Sequence, residues 1–181
     1  MTLVLGASLP NTVILGADSK TQRISVDRDT RAVVSIEPFT DRKLFKLSSA
    51  GVATYGSGPV NEPVPAVLIE ELRWEMTVAE VMHFMQGRFK GADEMWALVG
   101  GWENGNPVLF DVCMDGSSPT RIDPGSLVVR GVKQAQVDVR SETAASVLAL
   151  MLDRLDAASG VSVGPPFEFL VIPRTDVAQQ T

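Results

Sequence analysis

The order of strand-like and helix-like segments along this sequence predicts an α+β domain in which two β-sheets are stacked between helical layers. The chain opens with two apolar runs, Thr2–Ser8 and Thr12–Asp18, joined by Pro10-Asn11, which is typical of a β-hairpin. Helical patterns follow in mid-chain, more strands come next, and one helix and one strand close the sequence. Strands, helices, strands, helix and strand in this order favour two sheets covered by helices on both sides.

Length and composition indicate one soluble globular domain. The 181 residues fit a single domain over positions 1–181, with a polar C-terminal tail at 174–181. The 45% hydrophobic and 21% charged content is close to the average for soluble proteins. The 22 acidic and 16 basic residues give a net charge of -6, and Lys and Arg form no cluster that would neutralise phosphates. We therefore expect no nucleic-acid partner.

Cysteine usage and apolar run length bear on compartment and cofactors. Cys113 is the sole cysteine, which excludes a disulfide within this chain and any metal or redox site built on cysteines. A reducing, cytoplasmic compartment is therefore expected. We also expect no cofactor. The run Leu3–Leu9 lacks a basic start and stops at Pro10, so no signal peptide is expected. The longest later apolar stretch, Val147–Leu152, is far below the roughly 20 residues that span a bilayer, so no membrane partner is expected.

Strand and turn signals continue through the first third of the chain. Residues 20–41 are polar with scattered charges and carry no predicted element. Lys43–Leu47 and Val52–Tyr55 predict two strands joined by a turn of small residues. Gly56-Ser57-Gly58-Pro59 then ends the strand pattern.

Two helices are predicted in mid-chain, over Pro65–Trp74 and Thr77–Phe89. Thr77 and Glu80 have the spacing of a capping box at the start of the second helix. His83, the only histidine, lies inside this helix. A packed or surface histidine accounts for it, so we give it no catalytic role.

The second half is predicted as a strand meander, followed by a helix and a last strand. The meander strands are Met95–Gly101, Val108–Met114 and Leu127–Arg130, with Asn104-Gly105 and Asp115-Gly116 as turn signals. Apolar residues at helical spacing predict a helix over Ser141–Asp156, which Ser159-Gly160 ends. Phe167–Ile172 is the predicted final strand.

Thr2 is the first candidate for catalysis because it follows the initiator methionine directly. Removal of Met1 is favoured when the next residue is small, and it would give Thr2 a free α-amine. Such an amine has a reference pKa near 8 and is able to take the proton of its own hydroxyl. Many proteins begin Met-Thr, so Thr2 taken alone is better explained as the plain start of an edge strand.

Asp18 and Lys43 form a second candidate constellation. The apolar run that starts at Val13 ends on the Asp18 carboxylate, and a buried carboxylate needs a cation or hydrogen-bond donors. Lys43 opens another apolar strand and is a candidate partner. A lysine beside the Thr2 hydroxyl would lower its pKa and stabilise developing negative charge. The alternative is a surface ion pair between two strand ends.

Several short segments are individually weak signals but are informative in the order in which they occur along the chain. They are Thr2 with its strand, Val13–Lys20, Arg42–Leu47, Ala53–Gly58, Ala97–Trp102, Pro107–Phe110, Asp115-Gly116 and Asp156–Gly160. In this order they resemble the active-site segments of proteasome β-subunits and their bacterial relatives, which are N-terminal nucleophile hydrolases. The resemblance covers nearly the whole chain, and its specificity lies in the order of individually weak motifs.

The resemblance implies a four-layer αββα sandwich and a threonine-type amide hydrolase, a peptidase that acts through an acyl-enzyme. The implied catalytic residues are Thr2, Asp18, Lys43, Gly56, Asp156 and Ser159. Thr2 is the implied nucleophile, and the backbone N–H of Gly56 is the implied oxyanion donor. Asp156 and Ser159 would hydrogen-bond around the Thr2 amine, although from the residues alone they are simply a helix end. The implied substrate is a peptide or protein, and the implied assembly is a homo-oligomer such as a ring.

Two departures from the family's pattern bear on activity and assembly. Val129–Gln134 stands where the family has a Gly-Ser-Gly element, so the serine that helps to shape the site is missing. Only Val132–Arg140 separates this strand from the last helix, so we expect the family's third helix to be deleted or replaced by an extended link. Because that helix contributes to contacts between stacked rings, a single ring or another closed assembly is favoured.

These departures keep a second hypothesis open, a catalytically inactive scaffold or ring subunit, and a third, a small-molecule amidase. The joint presence of Thr2, Asp18 and Lys43 favours the hydrolase, since a scaffold needs none of them at these points. The sequence carries no signal for or against a partner ATPase.

Overall fold

The computed structural model describes residues 2–26, 30, 33–56, 64–92, 94–131, 134–160 and 163–174. Within these ranges the protein is a mixed α+β structure with two five-stranded antiparallel sheets, a separate two-stranded hairpin and three helices. The helices are α1 (Val64–Glu71), α2 (Val78–Arg88) and α3 (Ala144–Ala157). The predicted α+β class is confirmed.

Twelve strands connect these helices in the described ranges. In chain order they are β1 (Leu3–Leu9), β2 (Thr12–Asp18), β3 (Lys20–Val26), β4 (Val33–Thr40), β5 (Leu44–Lys46), β6 (Ala50–Gly56), β7 (Met95–Glu103), β8 (Asn106–Cys113), β9 (Thr120–Arg121), β10 (Ser126–Gly131), β11 (Ala135–Asp138) and β12 (Phe167–Pro173). The first sheet has the order β11-β10-β1-β2-β12, and the second has the order β5-β6-β7-β8-β9. Strands β3 and β4 pair only with each other.

The predicted opening hairpin is present and lies inside the first sheet. Strands β1 and β2 turn at Pro10 and Asn11, and at the open end Val4 pairs with Ala17. All seven residues of each strand are buried, because one face of the hairpin meets the second sheet and the other meets α3. This burial on both faces explains why the two strands are almost continuously apolar.

Three apolar clusters hold the sheets and helices together. One cluster joins α1 and α2, through Leu68, Val81 and Met85, to a face of the second sheet. A second cluster lies between the two sheets. The third joins α3, through Val147 and Met151, to the outer face of the first sheet. Helices therefore cover the outer face of each sheet.

The helix starts follow from local capping. The predicted capping box is present, since the Glu80 N–H donates to Thr77 Oγ1 at 3.3 Å and the Thr77 N–H donates to the Glu80 carboxylate at 2.8 Å. Helix α3 begins after Thr143 rather than at the predicted Ser141, because the Thr143 hydroxyl accepts the Ser146 N–H at 3.1 Å.

The segment 20–41, for which the sequence predicts no element, contains β3 and β4. This hairpin joins neither large sheet, which fits a sequence that lacks the long apolar runs of the other strands. Residues 27–29, 31 and 32 of the segment lie outside the described residues, as do Ser57 to Pro59 of the predicted strand break.

The predicted meander is wrong at its third strand. Strands β7, β8 and β9 are consecutive in the second sheet, but β10 crosses to the first sheet and pairs with β1. The apolar pattern of β10 specifies a buried strand without specifying its partner. Strand β11 follows where the third helix of the family was expected to be missing, and it pairs with β10 as an extended link. Of the predicted polar tail, only Arg174 lies in the described part of the chain.

Candidate active site

Asp18 and Leu3, the residue that follows Thr2, come together at the open end of the β1–β2 hairpin. Leu3 lies beside Asp18, and the Leu3 N–H donates to Asp18 Oδ1 at 2.8 Å. Thr2 is 7% exposed and Asp18 is fully buried. The residue that follows the candidate nucleophile is therefore bound directly to the candidate carboxylate.

Lys43 is the cationic partner of Asp18, as the sequence predicts. Its Nζ lies 3.0 Å from Asp18 Oδ1 and donates to the Lys20 carbonyl at 2.6 Å. The Thr54 N–H donates to the Lys43 carbonyl at 3.0 Å, which ties the backbone of Lys43 to β6. Because the Lys43 side chain is only 6% exposed, the alternative of a surface ion pair is wrong.

Burial lowers the pKa of the Lys43 ammonium below its ordinary value, because a charge inside the protein loses hydration. The charge and hydrogen bond of Asp18, and the charge of Asp41, oppose this shift. Burial also raises the pKa of the Asp41 carboxyl, against the Arg42 N–H and the Lys43 charge, which lower it. Lys43 therefore holds its proton less tightly than a solvated lysine does.

Asp18 keeps one acceptor atom unused. Its Oδ1 atom contacts both Leu3 and Lys43, whereas the buried Oδ2 atom makes no hydrogen bond to any residue that the structure describes. Buried carboxylate oxygens without a donor are rare in folded proteins.

Gly131 allows the closest backbone approach at this site. It pairs with Leu3 at the end of β10 and has a φ angle of 108°. A Cβ atom at this position would lie 1.8 Å from the Thr2 carbonyl oxygen, so no other residue fits without moving the backbone. Sequence reasoning treated this stretch only as a departure from the family's Gly-Ser-Gly element and missed the role of Gly131 in positioning Thr2.

Gly56 ends β6 at the same end of the sheets as Lys43. Its φ angle is 89°, and a Cβ atom would lie 2.1 Å from the Glu94 carbonyl oxygen, so the backbone requires glycine here. Gly56 is exposed, which leaves its backbone accessible. In the described residues no hydrogen bond joins Gly56 to Thr2.

Asp156 and Ser159 lie at the exposed end of α3, where the Ser159 N–H donates to the Asp156 carbonyl at 2.9 Å. No hydrogen bond between described residues connects either side chain to Thr2. The loop is nevertheless tied to the site, because Lys20 Nζ donates to the Gly160 carbonyl at 2.7 Å. Lys20 therefore contacts this loop with its side chain and Lys43 with its backbone oxygen.

A polar network that the sequence did not predict joins the two sheets near Thr2. The Tyr55 hydroxyl donates to Asp111 Oδ1 at 2.5 Å, and Arg130 Nε donates to Asp111 Oδ2 at 2.5 Å. Burial and the neighbouring carboxylate raise the pKa of the Tyr55 hydroxyl well above its usual range. The three residues come from β6, β8 and β10, so no local spacing could have revealed the network.

His83 is exposed on α2. Within the described ranges, no group of three or more His, Cys, Asp or Glu side chains is placed to hold a metal ion. The helices in that part of the chain include none that is long and apolar enough to span a bilayer.

Comparison with known proteins identifies no relative: the sequence matches no family model and no curated protein. The case for a function therefore depends on the geometry of Thr2, Asp18 and Lys43 and on the order of the motifs around them.

Proposed function

We propose that this protein is a threonine-type amide hydrolase, a peptidase in which Thr2 becomes the nucleophile after Met1 is removed. The observation that carries the proposal is the buried Lys43 amine, 3.0 Å from Asp18 Oδ1, the same oxygen that accepts the Leu3 N–H at 2.8 Å. Replacing a buried ion pair by apolar residues of similar volume is often neutral or stabilising, so the burial of Lys43 and Asp18 beside the start of β1 supports a role beyond stability.

The chemistry needs one hydroxyl and one amine. The α-amine of Thr2 takes the proton of Thr2 Oγ1 as this oxygen attacks the substrate carbonyl carbon, and a tetrahedral oxyanion forms. The C–N bond of the substrate then breaks, and the leaving amine takes the proton from the Thr2 ammonium. Water attacks the resulting ester, gives its proton to the Thr2 amine, and releases the acid with the Thr2 hydroxyl restored.

The neighbouring groups have electrostatic and positioning roles in this proposal. The Lys43 cation lowers the pKa of the Thr2 hydroxyl and stabilises the developing negative charge, and Asp18 holds Lys43 in place. The exposed N–H of Gly56 is the proposed oxyanion donor. Asp156 and Ser159 are the proposed hydrogen-bonding partners of the Thr2 amine. Nucleophile and base both come from the chain, so the reaction needs no cofactor.

We propose that the fold is a four-layer αββα sandwich of the N-terminal nucleophile hydrolase type, in which β11 replaces the third helix. Helices on the outer faces of two facing sheets support this assignment. We further propose a cytoplasmic homo-oligomer that acts on peptides or proteins, without nucleic-acid or membrane partners. Exposed Ile69 and Trp74, at 60% and 56%, support a contact between copies.

The test combines intact mass with a covalent probe. Purified protein is first weighed to show that Met1 is absent, and is then incubated with a peptidyl epoxyketone, which needs both the hydroxyl and the amine of an N-terminal threonine. We expect one adduct per chain on the unaltered protein and none on Thr2→Ala. Thr12→Ala is the matched control, because Thr12 is equally buried at 7% but lies at the opposite end of the hairpin, and it should retain the adduct. A folded, Met1-free protein that forms no adduct would instead favour the inactive scaffold.

A further inference from the structure

Arg130 and Lys43 place cations on both sides of the strand that follows Thr2. In the first sheet, β1 lies between β2 and β10. Strand β2 ends at Asp18, which holds Lys43, while β10 carries Arg130 next to Gly131. The mechanism proposed above uses the first cation and gives no role to the second.

Arg130 lies on the same face of the first sheet as Val4, which is two residues after Thr2. It pairs with Val4, whose side chain belongs to the cluster between the sheets, and Arg130 itself reaches across to Asp111 of the second sheet. Thr2 immediately precedes β1, and extending the alternation of side chains along that strand by two residues from Val4 places Thr2 on the face of Val4. Thr2 and Arg130 are then diagonal neighbours, a relation with a typical separation of about 7 to 8 Å. A group that adjoins a carbonyl bound at Thr2 spans such a distance.

The guanidinium of Arg130 is held firmly but is only partly used. Asp111 divides its two oxygens between Tyr55 and Arg130, so the arginine contacts it through Nε alone. Arg130 Nη1 donates one further bond to the Val129 carbonyl at 3.1 Å. Both N–H groups of Nη2 and one of Nη1 have no acceptor among the described residues, and the side chain is 17% exposed. A planar fork with free N–H groups at an accessible edge is the arrangement that binds carboxylates.

We propose that Arg130 is a specificity-determining residue, which binds a carboxylate of the substrate next to the scissile amide. The substrate class is therefore an acidic peptide, with either a Glu or Asp side chain or a free terminal carboxylate at that position. This inference rests on the proposed function of Thr2, since it takes the site of cleavage from that proposal.

The experiment measures binding without turnover, on the Thr2→Ala protein, by titration calorimetry. Capped Ala-Glu-Ala is compared with capped Ala-Gln-Ala, and an Ala-Ala-Ala peptide with a free C-terminus is compared with its amide. We expect one carboxylate peptide to bind about tenfold more tightly than its neutral counterpart, which is the usual strength of a charged hydrogen bond. The pair that differs shows whether the carboxylate is a side chain or a chain end.

Three variants in the Thr2→Ala background assign the preference to Arg130. Arg130→Gln should abolish it, and Arg130→Lys, which keeps the charge beside Asp111 but lacks the fork, should reduce it while preserving the fold. Arg121→Gln is the matched control, because it removes the same charge from an exposed position on β9 and should keep the full preference. Equal binding in both peptide pairs, or a preference that survives in both Arg130 variants, would overturn the inference.

The calorimetric result and the epoxyketone result test the two proposals independently. A carboxylate preference that depends on Arg130, together with no adduct at Thr2 in the unaltered protein, would support the subsite and reject the hydrolase. An adduct at Thr2 without any carboxylate preference would support the hydrolase and reject the subsite.

Discussion

Removal of the Thr2 hydroxyl should abolish acylation with little effect on stability. Thr2→Ala should abolish epoxyketone acylation, because it removes the attacking oxygen, and should change the free energy of unfolding by only about 1 kcal/mol. Thr2→Ser keeps the hydroxyl and the amine and should retain acylation. The rate of adduct formation and a denaturant titration measure the two effects. Acylation of Thr2→Ala at the unaltered rate would rule out Thr2 as nucleophile.

Lys43 differs from Thr2 because catalysis and stability both depend on it. Lys43→Ala should silence acylation and leave the Asp18 carboxylate buried without its cation, a change that costs about 3 to 5 kcal/mol. Thermal unfolding and adduct formation must therefore be measured on the same sample. Lys46→Ala is the control and should alter neither, because Lys46 is an exposed lysine at the end of β5, the strand that follows Lys43. A folded Lys43→Ala protein that acylates normally would contradict the assigned role.

Some residues of the candidate site could be predicted from the sequence and others could not. Asp18 and Lys43 could be paired in advance because one ends an apolar run and the other opens one, and a buried charge demands an opposite one. Tyr55, Asp111 and Arg130 could not, because they come from three strands whose pairing is set by the whole fold.

At the scale of elements, prediction succeeded where the signal is local. The β1–β2 hairpin has a turn between two apolar runs, and α2 has a capping box at Thr77. It failed for β3 and β4, whose polar sequence carries no apolar pattern, and for the crossing of β10 to the first sheet. Partner choice depends on contacts between distant parts of the chain, which no sequence window contains.

Gly131 tests how the pairing of β1 with β10 positions Thr2. Gly131→Ala should destabilise the protein by at least about 1 to 2 kcal/mol from its positive φ alone. The new Cβ would also lie 1.8 Å from the Thr2 carbonyl oxygen, so Thr2 must move and acylation should slow. Denaturant unfolding and the acylation rate measure the two effects.

Gly87→Ala is the control for this prediction. It lies in α2, nothing is within 4 Å of its added Cβ, and alanine favours helix, so stability should hold or rise slightly. Gly131→Ala with unchanged stability and acylation would show that this approach of β10 to Thr2 is not required.

At the scale of the whole molecule, the surface of α1 and the turn after it bear on assembly. Ile69 and Trp74 expose large apolar side chains to solvent, which is unfavourable unless another surface covers them. We expect a homo-oligomer by light scattering, and a shift toward the mass of one chain in Trp74→Ser. A monomer at working concentration in the unaltered protein would contradict this prediction.

The network of Tyr55, Asp111 and Arg130 connects the two sheets and should give the fold a distinctive response to alkali. Tyr55 is the only tyrosine, and its pKa is raised in the folded protein by burial and by the Asp111 carboxylate. Above pH 10, its ordinary pKa, the unfolded chain therefore loses a proton that the folded chain keeps, so the free energy of unfolding falls as pH rises.

The Tyr55→Phe variant should lack this pH dependence. Near neutral pH it should be less stable than the unaltered protein by about 1 to 3 kcal/mol, because the hydrogen bond to Asp111 is lost. The difference in unfolding free energy between the two proteins should shrink by about 1.4 kcal/mol for each pH unit above 10. Tyrosinate absorbance gives an independent reading, since it should appear only with unfolding, and its appearance in the folded protein near pH 10 would show that the network does not hold the Tyr55 proton.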